Sequence, residues 1–100
     1  MKKGERAAAL IIHPRDNVAV ALRDLDPGSQ VDVRFRGRMR RILILDTIPA
    51  NHKLALTRIR RGALVVKYGE PIGEAIAPIR PGAHVHIHNV RSRRIHPSKR

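Results

Sequence analysis

Apolar residues recur along this chain in short runs broken by Gly and Pro, and no stretch sustains the 3.6-residue period of a long helix. The pattern repeats instead. Val20-Ala-Leu-Arg-Asp-Leu-Asp-Pro-Gly-Ser-Gln-Val-Asp-Val33, Leu54-Ala-Leu-Thr-Arg-Ile-Arg-Arg-Gly-Ala-Leu-Val-Val-Lys67 and Glu74-Ala-Ile-Ala-Pro-Ile-Arg-Pro-Gly-Ala-His-Val-His-Ile87 align without gaps. Each carries Ala at its second position, an aliphatic at its third, Leu or Ile at its sixth and Gly at its ninth. Such a unit predicts a short extended piece that takes the Ala and the aliphatic into a core. A turn then closes on Gly28, Gly62 or Gly82, where positive φ costs nothing. Pro27 and Pro81 preset the φ before two of these turns. A strand follows each Gly, starting at Val31, Val65 or Val85.

Between the units, Arg34–Leu45 predicts a hairpin around Gly37-Arg38 that ends in the apolar run Ile42–Leu45. Pro71-Ile72-Gly73 predicts a tight connection into the third copy, and Asn17–Leu25 is the best-placed segment for one or two helical turns. The expected fold is a mostly β domain over 9–90, built of short strands and Gly/Pro turns with one or two short helical turns. A flexible basic segment, 1–8, and a disordered basic tail, 91–100, are expected to flank it.

Composition agrees with one small domain of 100 residues, and the 42% hydrophobic content supports a folded core. Phe35 and Tyr68 are its only aromatics, so that core must be aliphatic. A domain of this size hides only about 65% of its unfolded surface, which makes reliance on a partner a reasonable expectation. The absence of Cys removes disulfide scaffolds, zinc ribbons, iron–sulfur sites and thiol nucleophiles. No apolar run approaches the ~20 residues of a membrane span. The run Ala7–Ile12 behind Met1-Lys2-Lys3 is shorter than the roughly 7–15 residues of a signal-peptide core. A cytoplasmic location without membrane association is therefore expected.

The net charge of +13 is concentrated in clusters: Lys2, Lys3 and Arg6; Arg34, Arg36, Arg38, Arg40 and Arg41; Arg58, Arg60 and Arg61; and Arg91, Arg93, Arg94, Lys99 and Arg100. Clustered Arg suits phosphate, but no helix-turn-helix, zinc-finger spacing or interleaved aromatic accompanies it. Arg34, Arg36, Arg38 and Arg40 alternate with Phe35, Gly37 and Met39, which in one strand would place the four on a solvated face. The charge reads as a basic surface that attracts an anionic substrate or acidic partner, with nucleic acid disfavoured.

Candidate chemistry lies in six histidines, His13, His52, His84, His86, His88 and His96. In His84-Val-His-Ile-His88 a period of two would put three imidazoles on one strand face and Val85 and Ile87 in the core. Neighbouring same-face residues are ~6.6 Å apart and can share an ion, whereas His84 and His88 would lie ~13 Å apart. Such a strand supplies two ligands at most; His13, His52, Asp16 or Asn17 would supply the rest, a set suited to Fe(II), Mn(II) or Zn(II). The alternative is that these imidazoles face solvent or bond to backbone. Lys67-Tyr68-Gly69 could offer an ammonium and a phenol to an anion, or simply be a wet strand end. Asp46 reads as a turn former, and His96 falls in the tail.

Four ordered motifs, His13-Pro-Arg-Asp-Asn-Val-Ala-Val-Ala-Leu22, Ile48-Pro-Ala-Asn-His-Lys-Leu-Ala-Leu56, Val66-Lys-Tyr-Gly-Glu-Pro-Ile-Gly73 and Ile79-Arg-Pro-Gly-Ala-His-Val-His-Ile-His-Asn-Val90, resemble the SAF domain of the altronate/galactarate dehydratase family. The small subunit of sulfolactate sulfo-lyase is similar. The resemblance implies a β-clip fold and elimination of water from a sugar acid with a divalent metal, Fe(II) or Mn(II). It implies contributions from His13, His52, Lys53, Lys67 and Tyr68 to catalysis, Asn17 and Asn89 to substrate binding, and Asp16, His84, His86 and His88 to the metal. The expected partner is a large catalytic dehydratase subunit whose site this chain completes, with homo-oligomerisation left open. The surplus of Arg, above all over 34–41, departs from the family pattern.

Overall fold

The computed structural model describes residues 7–35 and 37–92. The expected flexible N-terminus and disordered tail fall largely outside them, as do Arg36 and His96. Among the described residues there are nine strands and no helix. They are β1 (Ala9–Leu10), β2 (Val18–Ala21), β3 (Gln30–Phe35), β4 (Arg38–Leu43), β5 (Lys53–Ala55), β6 (Leu64–Lys67), β7 (Glu70–Ala75), β8 (His84–Val85) and β9 (Val90–Ser92). Six form one sheet in the order β4-β3-β1-β2-β5-β8, and β6-β7-β9 form a second. Only the short β1–β3 pairing is parallel.

The repeat is the skeleton of this architecture. Leu25, Ile59 and Ile79, its sixth positions, are buried, as are Ala21, Ala55 and Ala75 at the second. Gly28, Gly62 and Gly82 take φ of +91°, +88° and +87°. A fourth unit, 43–51, was not visible in the alignment: Ile44 stands at its second position, Ile48 at its sixth, and Asn51 at its ninth with φ +71°. The four units associate in two pairs, each with near-twofold bonding. Leu25 and Ile48 exchange backbone hydrogen bonds of 2.8 and 2.9 Å, while Gly28 N–H donates to Ile44 and Asn51 N–H to Ala21. Ile59 and Ile79 exchange bonds of 2.9 and 2.8 Å, while Gly62 N–H donates to Ala75 and Gly82 N–H to Ala55. Each pair has its own aliphatic core. Leu25, Ile44, Ile48 and Leu54 belong to the first, and Ile59, Val65, Ile79 and Val85 to the second. Full burial of each such side chain stabilises by roughly 1.5–3 kcal/mol.

Four local expectations are corrected. Pro71-Ile72-Gly73 is no tight connection but part of β7, paired with β6, and the turn lies before it at Tyr68-Gly69. Asn17–Leu25 contains no helical turn; its Val-Ala-Val-Ala run is β2, hydrogen-bonded on one edge to β1 and on the other to β5. A helix there would leave both neighbours' backbone groups without partners. At the third repeat position only Leu56 is buried, while Leu22 and Ile76 are exposed, although the chain bends immediately after the buried Ala in all three copies. The expected hairpin is present as β3–β4, but its arginines do not share a face. Its turn at Gly37 resets the alternation, so Arg34 lies opposite Met39 and Arg40 opposite Val33.

Candidate functional site

The two strands that leave Asn51 and Gly82, β5 and β8, pair with one another, Lys53 opposite Val85 and Leu54 opposite His84. The same register carried on by one residue sets His52 across from His86. The chain does not continue as a strand beyond Val85. The Asn89 side chain accepts from His86 N–H at 2.9 Å and donates to the His84 carbonyl at 2.8 Å. The N–H groups of Asn89 and Val90 both donate to the His86 carbonyl. These bonds close a turn over 86–89, so the expected three-histidine strand face is replaced by a more compact arrangement. Val85 is buried as expected, but Ile87, expected in the core beside it, is 80% exposed on that turn. The turn also brings His88 back, its ring centroid 5.4 Å from that of His84.

His52, His84 and His86 form a half-buried stack with centroids 4.5–5.3 Å apart. His52 Nδ1 lies 2.8 Å from His84 Nε2, and one nitrogen from each of the three rings falls within 4.8 Å of the others. Nitrogens each about 2.1 Å from a common ion would be about 3.0–3.4 Å apart, so the first pair sits slightly closer than a shared ion requires and the three rings would adjust around one. The charge state fits too. Burial, followed by the charges of His52, His86 and His88, lowers the pKa of His84 against an opposing effect of Asp46. Burial, followed by His52, Lys53 and His88, lowers that of His86. Both rings are held toward the neutral form, whose lone pair binds metal.

Asp46, read from the sequence as a turn former, accepts the His84 backbone N–H at 2.9 Å and fixes the start of this segment. Lys53, beside the cluster, has its pKa lowered by burial and then by Lys67. A cleft of about 180 Å3 lies between Lys53, His86, Ile72 and Ile87.

A second polar group forms around the β6–β7 turn, where Tyr68 and Gly69 take φ of +56° and +78°. Lys67 Nζ sits 4.7 Å from the centroid of the Tyr68 ring. His13 packs on Gly69 so closely that a Cβ there would come within 2.9 Å of the imidazole. Asp16 accepts from the N–H groups of His13 and Gly69, at 3.0 and 2.8 Å. Asn17 accepts from Val66 N–H and donates to the Leu64 carbonyl, at 2.8 and 3.0 Å. The predicted residues thus fall into two neighbourhoods joined by the lysines. His52, Lys53, His84, His86, His88 and Asn89 form one, and His13, Asp16, Asn17, Lys67 and Tyr68 the other. Asp16 is not in the three-imidazole group, and both asparagines commit their amides to backbone.

Fold and site together define the class: an all-β domain of paired turn units with an imidazole cluster where the two pairs meet. Within that class, the chain belongs to the altronate/galactarate dehydratase SAF-domain family, whose pattern matches residues 7–93. It is 48% identical over 81 residues to altronate dehydratase of Escherichia coli (strain K12), which covers 81% of this chain but 16% of that protein. The corresponding enzyme of Bacillus subtilis (strain 168) is 41% identical over 81 residues, again 16% of its length. A third relative is a subunit of similar size. The (2R)-sulfolactate sulfo-lyase subunit alpha of Chromohalobacter salexigens is 32% identical over 88 residues, 84% of this chain and 94% of that subunit. The chain therefore spans about a sixth of the altronate dehydratases it matches. Among the described residues no helix is long and apolar enough to cross a membrane.

Proposed function

We propose that this chain is the SAF-domain component of a lyase acting on an acidic sugar such as altronate or galactarate, and that it completes the active site of a larger catalytic subunit. The observation that supports it most directly is the convergence of His52, His84 and His86 from two repeat units. These three imidazoles would hold a divalent cation, which when bound supplies a Lewis acid for the substrate's carboxylate or leaving hydroxyl. Without a carboxylate in the group, the set favours Fe(II) over Mn(II).

Water elimination removes the proton α to a carboxylate and expels the β-hydroxyl. Lys53 is the suited base, because burial and Lys67 favour loss of its ammonium proton. Lys67 and Tyr68 would face the anionic end of the substrate, and His88, beside the His84 ring, would return a proton to the departing hydroxyl. A sulfolactate substrate is the second reading, favoured by the coverage of nearly the whole sulfo-lyase subunit alpha.

The test reconstitutes the chain with its co-purifying large subunit and assays altronate, galactarate and sulfolactate. Turnover of a sugar acid that is lost in His52→Ala and His84→Ala is expected. Turnover by the large subunit alone at the same rate would end this reading, and turnover of sulfolactate alone would replace the substrate.

A further inference from the structure

The arginine surplus has a structural counterpart away from the imidazoles. A cleft of about 460 Å3 runs between β4 and the bend that follows β5. Its floor is aliphatic, with Leu43 and Leu45 exposed at 47% and 37% beside the buried Leu56. Its rim carries Arg40, Arg41 and Arg58. Arg40 is fixed at the mouth by donating to the Leu56 carbonyl at 3.3 Å, and Arg41 pairs with Asp32 at 3.3 Å. Arg40 and Arg58 have no carboxylate partner among the described residues.

The floor is also continuous with the candidate metal site. Gly82 packs directly on the Leu43 carbonyl, and its own carbonyl accepts Leu45 N–H at 2.9 Å. Leu45 also lines the neighbouring cleft with Asp46 and Asn89, the two residues that hold His84 and His86 in place.

We propose that this groove docks an acidic, aliphatic peptide segment of the catalytic partner, its carboxylates on Arg40 and Arg58 and its apolar side chains on Leu43 and Leu45. The inference rests on the reading of this chain as the completing part of a larger enzyme. Charge complementarity supports it: the chain carries +13, and the planar guanidinium fork matches carboxylate in two-point hydrogen bonding. The aliphatic floor selects peptide over single-stranded nucleic acid, because bases bind single-stranded channels by stacking on aromatic rings and the groove contains none. A segment seated here would press on 43–46 and so on the anchor of His84.

The test is an NMR titration of the isotopically labelled full chain at physiological salt. The probes are Co(II), the synthetic peptide acetyl-Asp-Glu-Leu-Glu-Ile-Asp-amide, its counterpart with Lys at every acidic position, and a 16-base-pair DNA duplex. The acidic peptide should shift the amides of 40–46 and 56–58. Affinity should fall at least about tenfold in Arg40→Glu/Arg58→Glu and in Arg58→Glu alone, the milder change that leaves the Arg40 bond intact. A smaller fall is expected in Leu45→Ser. Absence of groove shifts, equal binding of the Lys peptide, or tighter binding of the duplex at the same residues would each overturn the proposal. Co(II) reports His52, His84 and His86 separately, so failure of the metal site leaves the peptide result standing.

Discussion

β5 and β8 leave their turns and pair with each other, whereas β3 and β6 leave equivalent turns and fold back into hairpins with β4 and β7. The backbone at the four starting points is nearly the same, with positive φ at Gly28, Asn51, Gly62 and Gly82. The side chains that follow differ. After Gly28, Ser29 donates to the Asp26 carbonyl at 2.6 Å and closes its own turn; after Gly62 come Ala63 and Leu64. After Asn51 and Gly82 come His52 with Lys53, and Ala83 with His84. A hairpin pairs an exit strand with its own continuation, so its side chains stay local. Pairing two exits places side chains from distant units at one point, and the imidazole cluster grows there. The chemistry follows the connection between the symmetric pairs rather than the repeat itself.

The largest effect should separate two glycines that the repeat makes equivalent. Gly62 and Gly82 have almost equal φ, but a Cβ on Gly62 meets open space while one on Gly82 would fall on the Leu43 carbonyl. Gly62→Ala bears only the left-handed strain of about 1–2 kcal/mol. Gly82→Ala adds a backbone collision and should cost more than about 4 kcal/mol, which is enough to unfold many small domains. Denaturant melts of the two variants check this. Equal losses would mean that the first and second pairs are not in the close contact described.

Next in size are two asparagines with the same bonding and different neighbourhoods. Asn17 ties the first loop to β6, and Asn89 shapes the turn that carries His86. Removing either amide leaves two backbone groups short of a partner, so Asn17→Ala and Asn89→Ala should each lose about 1–3 kcal/mol. Only Asn89→Ala should also weaken Co(II) binding, by about tenfold, as loss of a positioning contact around a metal ligand does. Isothermal titration beside the melts distinguishes them. An equal drop in affinity for both variants would merge the two polar neighbourhoods into one site.

These contrasts also show what the sequence made legible. Three units could be read because Gly at the ninth position leaves a visible mark. The fourth could not, because Asn51 does the same conformational work with a different side chain and Ile44 replaces the Ala. Its signal was the unchanged spacing of Ile44, Ile48 and Asn51. The histidine segment misled for the opposite reason. Its alternation satisfies the strand pattern, but Asn89 supplies the local hydrogen bonds that let a turn win. The meeting of His52 with His84 depends on the β5–β8 pairing, a contact across 32 positions that no local pattern encodes. The groove was equally hidden: of its three rim arginines only Arg40 belongs to the alternating set Arg34, Arg36, Arg38 and Arg40, and the approach of Arg58 to β4 is a contact that no local pattern encodes.

A smaller effect should appear with acid. His84 and His86 are held below the ordinary 6.5, so the folded chain binds fewer protons than the unfolded chain in the window beneath that value. Stability should therefore rise with pH through this window and be lost as pH falls. Melts at successive pH values should show the slope, and His84→Ala should make it shallower. Saturating Co(II) should steepen the loss, because protons and metal compete for the same lone pairs. A profile unchanged by His84→Ala would assign the acid sensitivity to other groups.

The smallest effect bears on whether the fourth unit belongs with the other three. If Asn51 is present only because it tolerates a left-handed backbone, Asn51→Gly should be neutral or stabilising by no more than about 0.5 kcal/mol, the relief at positive φ being offset by extra freedom in the unfolded chain. Asn51→Ala should lose about 1 kcal/mol, since Ala meets the same conformation without the local polar compensation open to Asn. Co(II) affinity should not move in Asn51→Gly, because the adjoining His52 N–H remains bonded to the Pro49 carbonyl and Asn51 N–H to Ala21. Unfolding and Co(II) titrations on the two variants measure both quantities. A loss in Asn51→Gly as large as that in Asn51→Ala would show that the amide makes a contact of its own, and the equivalence of Asn51 with Gly28, Gly62 and Gly82 would then rest on backbone shape alone.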